Sequence, residues 1–352
     1  MFMQLGFRAL FTEGVTLIAD RLQGDLFLVS KETDYLGSGN FPRVHLYQAA
    51  AIEGIAKVRP VYIDFLRWSN TKEFSTWAGQ VIAFNPSQPI LNLPEANQQL
   101  WKLSLPNTVL VDRLSKPTDF GPVAQQFQEK GTLSALLNGR RVNVVGLSSL
   151  GSSFFRSDGN IIMSENNYSA IAGSKVLKEV SVGILTLKPG ANPEAVRASL
   201  QRYLPKLTVL NHTELKAKEL GFQEKNPAGA IFAFGAIMGF VVGVVVVYQI
   251  LYSDVVDHLP EYATLKAMGY SDIALLGVIF QEALILAVLG FIPGFGASVG
   301  MYQFLAGVTR LQLVMRLDVA VTVFILTVVM CVVSGAIASS KLRSADPADV
   351  FS

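Results

Sequence analysis

The sequence predicts an α+β domain joined to an all-α transmembrane bundle, and three observations carry that prediction. Charge is unevenly divided: residues 1–228 hold 24 Lys+Arg and 19 Asp+Glu, whereas residues 229–352 hold 5 and 8. Three long apolar runs lie in the second part. The first part instead alternates short apolar runs with turn signals. Over all 352 residues, 51% are hydrophobic and 16% are charged, against about 25% charged in an average soluble domain. That composition argues against a disordered chain and an ordinary cytosolic enzyme. A net charge of +2 argues against a strongly basic nucleic-acid binder. The single cysteine, Cys331, excludes an intrachain disulfide.

Met1–Leu5 is apolar, but Arg8 and Glu13 follow quickly. This segment is too short to span a membrane and lacks the basic start and cleavage pattern of a signal peptide. A folded domain over residues 8–228 with a spanning helix only on its far side is therefore expected to lie on the cytoplasmic side, or to lack a preceding membrane helix.

Within the domain, Gly24–Ser30 reads as a strand. Val44–Ile55 has helical spacing at Val44, Tyr47, Ala51 and Ile55. Val58–Trp68, interrupted near its start by Pro60, alternates Val61, Ile63 and Phe65 as a strand would, and Gln80–Phe84 is another strand. The section from about Leu91 to Ala172 is rich in turn signals. It contains a hairpin, Leu133–Gly146, in which Asn138-Gly139 supplies the two positive-φ positions of a type I′ turn. A strand at Val182–Leu187, a helix at Pro193–Tyr203 and a strand at Leu207–Leu210 make a second strand–helix–strand unit. Two such units flanking an insert at roughly 90–175 suggest a split αβ domain with a β-rich insert. Asn211 followed by Glu214 offers a capped helix start. The polar helix beyond it, through Lys216, Lys218 and Glu219, reads as a stalk that Gly221 and Pro227 could interrupt.

The membrane part begins with Ala228–Tyr252, 25 uncharged residues, or about 37 Å of helix, which exceeds the roughly 30 Å hydrocarbon core. The next run, about 273–303, carries one charge, Glu282, and contains Pro293, so a spanning helix followed by a kinked or broken segment is expected. The third is Val319–Ser340. Three runs of this kind match membrane helices better than buried helices of a soluble core.

No GxxxxGK[ST], HExxH, CxxC or GxSxG motif is present, so the chain is not expected to hydrolyse ATP itself, and no catalytic, cofactor-binding or metal-binding residue is assigned. His45, His212 and His258 fall in separate regions and read as surface or structural histidines. Arg140-Arg141 read as decoration of a hairpin. Gln281 and Glu282 are intramembrane polar residues. An isolated carboxyl there costs several kcal/mol unless paired or protonated. Glu282 is read either as a conformation-sensitive polar contact or proton site, or as a residue near an interface or capping a neighbouring helix, with no second intramembrane acid accompanying it. Gly235, Gly239 and Gly243 form a small-xxx-small ladder, read equally as intrachain packing or as a homodimer seam.

The connector Asp254–Asp272, DVVDHLPEYATLKAMGYSD, joins two membrane runs. Pro260 suits a first helical turn and Gly269 a C′ position. The helix between them, about Glu261–Met268, would place Tyr262 and Leu265 on one face and Ala263, Lys266 and Ala267 on another. So short a helix needs a surface to rest on, which leaves a simple connector or a partner-docking element.

LPEYATLKAMGYSD resembles the loop after the second membrane helix of FtsX-like and MacB-like ABC permeases. FQEALILAVLGFIPGF and SGAIASSKLRSADPADVF are closer to the DevC-type permeases of cyanobacteria, the heterocyst glycolipid exporter family. GDLFLVS, VYIDFLRW, GRRVNVVGLSSLGSSF and GILTLKPGANPE in the first part are similar to the same family. The resemblance covers essentially the whole chain. It implies four membrane helices with a periplasmic domain between the first two, residues 1–7 being the last turns of the first helix. The split αβ units would be the porter-like part, and the whole would sit in a bacterial inner membrane. It further implies a homodimer, a separate ABC ATPase, a periplasmic adaptor, a TolC-like outer-membrane channel, and a lipid-like or amphiphilic cargo such as a glycolipid. The ATPase-coupling helix would comprise Pro260, Glu261, Tyr262, Leu265, Lys266, Met268 and Gly269, with Tyr262, Leu265 and Met268 as apolar anchors. The alternative is an FtsX-like signalling protein that transports nothing and activates an envelope hydrolase. With residues 8–228 in the periplasm, Lys266, Lys341 and Arg343 would be cytoplasmic, and Arg310 and Arg316 outside, a slight positive-inside bias.

Overall fold

The computed structural model describes all residues other than 71–75, 152–158, 225–226, 310–314 and 345–352. Arg310, Ser152–Phe154 and the C-terminal ADPADVF of the motifs above therefore lie outside the described residues, as do the side chains of Lys341 and Arg343. The chain divides into two compact units, Leu10–Asn226 and Met1–Ala9 with Pro227–Ser352.

In chain order the elements of the first part are α1 (Phe2–Arg21), β1 (Leu26–Ser30), β2 (Phe41–Pro42), α2 (Val44–Ala50), β3 (Ile55–Asn70), β4 (Thr76–Phe84) and α3 (Pro94–Asn97). They continue with β5 (Thr108–Asp112), α4 (Pro117–Phe120), α5 (Val123–Lys130), β6 (Leu133–Leu137), β7 (Arg140–Ser148), β8 (Asn160–Ser164) and α6 (Glu165–Ala172). The part closes with β9 (Glu179–Val180), β10 (Val182–Leu187), α7 (Pro193–Tyr203), β11 (Leu207–Leu210) and α8 (His212–Glu224). The membrane part is α9 (Pro227–Asp257), α10 (Leu259–Ala267), α11 (Asp272–Thr309) and α12 (Leu317–Ser344).

Nine strands form one sheet in the order β11-β1-β10-β3-β4-β8-β5-β7-β6, and β6 also pairs with β3. The sheet therefore has two regions that share β3. On one side, β1-α2-β3 and β10-α7-β11 interleave as the four antiparallel strands β11-β1-β10-β3, the order of a split βαβ fold. On the other, β3-β4-β8-β5-β7-β6 closes on itself, which removes the exposed edges an open insert would carry. This is the α+β architecture with a β-rich insert that the sequence predicts.

β3 can serve both regions because both its faces are covered. Val61 and Ile63 enter one core, while Tyr62, Leu66 and Trp68 enter the other. The second core is closed by Trp68, whose ring stacks on Phe120 at 5.1 Å and whose indole N–H donates to the Phe120 carbonyl. The β6–β7 turn has Asn138 at φ +53° and Gly139 at φ +80°, as a type I′ turn requires. Asn211 and Glu214 form a reciprocal capping box: Glu214 N–H donates to Asn211 Oδ1 at 2.8 Å, and Asn211 N–H to Glu214 Oε2 at 2.9 Å.

Three sequence expectations are corrected. Val44 and Tyr47 do not form the buried face of α2 but are exposed; Leu46 and Ala49 are buried instead, because glycine at Gly183 leaves a hollow on β10 that Leu46 fills. Ile55 belongs to β3, not to the helix. The N-terminal helix does not stop near residue 7 but runs to Arg21, because Val15, Ile18, Ala19 and Leu22 are buried, the last three in the core of the Leu10–Asn226 unit.

In the other unit, α9, α11 and α12 contain the stretches Gly229–Asp257, Ile273–Ala306 and Leu317–Ser339, each long and apolar enough to cross a membrane. Pro293 lies within α11, which continues as one 38-residue helix and does not break. The seam between these helices is built of small residues: Ala283, Ala287, Cys331 and Ala338 around Leu251. Ser334 hydroxyl donates across it to the Val244 carbonyl at 2.9 Å. Small side chains let helix axes approach, which replaces the missing hydrophobic drive in lipid with close packing.

Candidate functional site

The glycine ladder of α9 is occupied by the chain's own helices. Gly235 faces Gln4 and Gly239 faces Met1, and a Cβ on Gly243 would overlap Met330 Sδ. The N-terminal turn is fixed further by Tyr302, whose hydroxyl donates to the Phe2 carbonyl at 2.6 Å.

The connector between α9 and α11 forms α10, one residue or two earlier than its sequence suggests. Pro260 sits in the first turn, where its missing N–H costs nothing. Gly269, at φ +94°, ends the helix; its N–H donates to Lys266 O, and Tyr270 N–H donates to Leu265 O at 3.2 Å. Thr264 returns its hydroxyl to the Pro260 carbonyl.

α10 has an inner and an outer face. Tyr262 is buried with Val255, Leu275 and Ile279, and Leu265 packs against the same group. Two of the three expected anchors thus hold α10 to its own bundle. Glu261, Thr264, Ala267 and Met268 face outward, continued by Tyr270 and Ile273. Met268 is 64% and Ile273 81% exposed, although both are apolar. Lys266 is half-buried.

An acidic group that the sequence alone does not reveal lies behind α10. The sequence gives Glu282 no second acid, but Asp254 of α9 comes within hydrogen-bonding reach of it. Adjacent Gln281 points outward. His258 lies 3.8 Å from Asp254 Oδ1 and 3.1 Å from Glu261 Oε2. Burial, then the carboxyls of Glu282, Asp254 and Glu261, push the Tyr262 phenol above its ordinary range, so it is neutral at physiological pH. Asp254 and Glu282 are 28 residues apart in sequence and meet only because α9 and α11 pack together. Among the described residues no group of three or more His, Cys, Asp or Glu is arranged to hold a metal ion. His45 pairs with Gln48, and His212 lies against the Phe27 ring.

Residues 233–347 match the family model described as FtsX-like permease C-terminal. The match takes in most of α9, the whole of α10 and α11, and α12. No curated protein matches the chain. Among solved structures, the chain is similar to the periplasmic region of MacB from Actinobacillus actinomycetemcomitans, with 13% identity over 57% of this chain and 94% of that one, at a TM-score of 0.39. The extracellular domain of the noncanonic ABC-type transporter YknZ from Gram-positive bacteria gives 12% identity over 53% and 99%, at a TM-score of 0.35. A domain of a permease protein from Porphyromonas gingivalis gives 11% over 54% and 87%, at 0.32.

Proposed function

We propose that this chain is the membrane permease subunit of a MacB-like, DevC-type ABC exporter. The observation that carries this reading is the FtsX-like permease match across α9–α12, with α10 inside it as a short helix between two spanning helices. In this reading the Leu10–Asn226 unit faces the periplasm and the spans sit in a bacterial inner membrane. Two copies of the chain recruit a separate ABC ATPase, and a periplasmic adaptor and TolC-like channel complete the path for a lipid-like or amphiphilic cargo, of which a glycolipid is the leading candidate.

The coupling element runs from Pro260 to Gly269, most of α10 and its C-terminal turn. Its outer face contacts the ATPase through Glu261 and the exposed Met268. Tyr262 and Leu265 work on the other side, gripping Val255, Leu275 and Ile279 so that force on α10 passes to α9 and α11. Lys266 supplies a cation to the same connector, and Gly269 its exit. This division of labour changes the informative substitution. Leu265→Asp would place a carboxylate against the bundle itself, whereas Met268→Asp alters only the exposed face.

Affinity purification from native membranes in mild detergent, with mass spectrometry of the recovered partners, tests the assembly. An ATPase together with a periplasmic adaptor is the expected result. An ATPase with an envelope hydrolase and no adaptor overturns export in favour of signalling, and recovery of neither partner overturns both.

A further inference from the structure

Glu219 belongs to α8, which the sequence presents as a polar stalk, yet it is only 1% exposed. A carboxylate taken that far from water needs donors. Leu36 N–H supplies one, to Glu219 Oε1 at 2.5 Å. The neighbouring Tyr35 ring packs on Phe222 with centroids 4.7 Å apart, and Leu36 shares a core with Leu215. Residues 31–40, which connect β1 to β2, are therefore fastened to α8 at two successive positions.

The same connection is fastened to β3 at its other end. Gly37, at φ +91°, passes so close to β3 that a Cβ there would lie 2.9 Å from Ile63 Cγ2. Ser181 hydroxyl donates to Asn40 Oδ1 at 2.8 Å and accepts from Ile63 N–H at 3.0 Å. Between the two ends Ser38 stiffens the turn: its hydroxyl oxygen accepts from Asp34 and Tyr35 N–H at 3.0 Å each, and its own N–H donates to the Tyr35 carbonyl.

We infer that residues 31–40 are a rigid strap that makes β3 follow α8, with Glu219 as the positioning residue that holds the strap in place. β3 is the strand common to both regions of the sheet, so a displacement of α8 passes through the strap to both at once. This inference rests on the geometry of the Leu10–Asn226 unit alone and does not depend on the exporter reading.

Hydrogen exchange of the full chain in lipid nanodiscs tests it. Glu219→Ala should speed exchange at the Leu36 amide by about tenfold, the order expected for loss of one buried hydrogen bond. It should also speed exchange at Ile63, at the far end of the strap. Glu219→Gln, whose Oε1 still accepts from Leu36, should restore both. Coupling is reciprocal, so Ser181→Ala should speed exchange at Leu36, and this arm decides the matter if Glu219→Ala does not fold. An effect of Glu219→Ala confined to Leu36, or a Ser181→Ala protein with Leu36 unchanged, would overturn the strap.

Discussion

Glu214 caps α8 and also ties it to α7. Its carboxylate accepts the Asn211 N–H and pairs with Arg197 at 2.9 Å. These contacts, the backbone hydrogen bond first, hold its pKa below the ordinary glutamate range. A lowered pKa means that the folded state binds this proton more weakly than the unfolded state. Its contribution is therefore present above the unfolded value of about 4.3 and is lost as pH falls through the folded one. Glu214→Gln should flatten the acid limb of melting temperature against pH, and an unchanged limb would contradict this account. The cap is legible in the sequence because its partners are three residues apart. Asp112 is not. It is buried in a row with Gln80, Asn160 and Ser148, one from each of four neighbouring strands. It accepts from the backbone N–H groups of Leu114 and Gly151 and from the Asn160 amide. Asp112→Ala strands these donors at about 1–3 kcal/mol each. It should cost several times more stability in thermal melts than Asp112→Asn, which retains an acceptor. Equal losses would contradict the role given to its acceptors.

Elements with local punctuation are readable from sequence: the Asn138-Gly139 hairpin, and α7 behind Asn192-Pro193, whose Asn192 side chain accepts from Glu194 and Ala195 N–H. The middle section is not, because β5 and β8 are defined by partners far away, β7 and β4 respectively. The continuation of α1 beyond residue 8 does carry a sequence signal, since Val15, Ile18, Ala19 and Leu22 follow helical spacing. Among the membrane helices the ladder glycines differ physically from those of α11. A Cβ added at Gly243 would meet Met330, whereas one added at Gly290 would have nothing within 4 Å. Gly243→Leu should therefore lower stability in detergent by about 1–3 kcal/mol through overpacking, and Gly290→Ala should leave it near wild type. Equal melting temperatures for the two variants would contradict the close packing of Met330 on Gly243.

For the whole molecule, the division into a charged α+β unit and an apolar helical unit follows from where the charges fall, since water and lipid impose different compositions. α10 is legible as a helix because Pro260 and Gly269 mark its ends. Which of its faces is free is not, because Tyr262 and Leu265 are as apolar as Met268 and only the packing of α9 and α11 separates them. The Asp254–Glu282 contact is hidden for the same reason. The central claim is that the outer face of α10 receives a separate ATPase, and the most direct measurement is ATPase recovery with tagged wild-type and Met268→Asp chains at equal membrane insertion. The account predicts recovery with wild type and a loss of about tenfold or more with Met268→Asp, as for an apolar anchor at an interface. Undiminished recovery with the variant would contradict it.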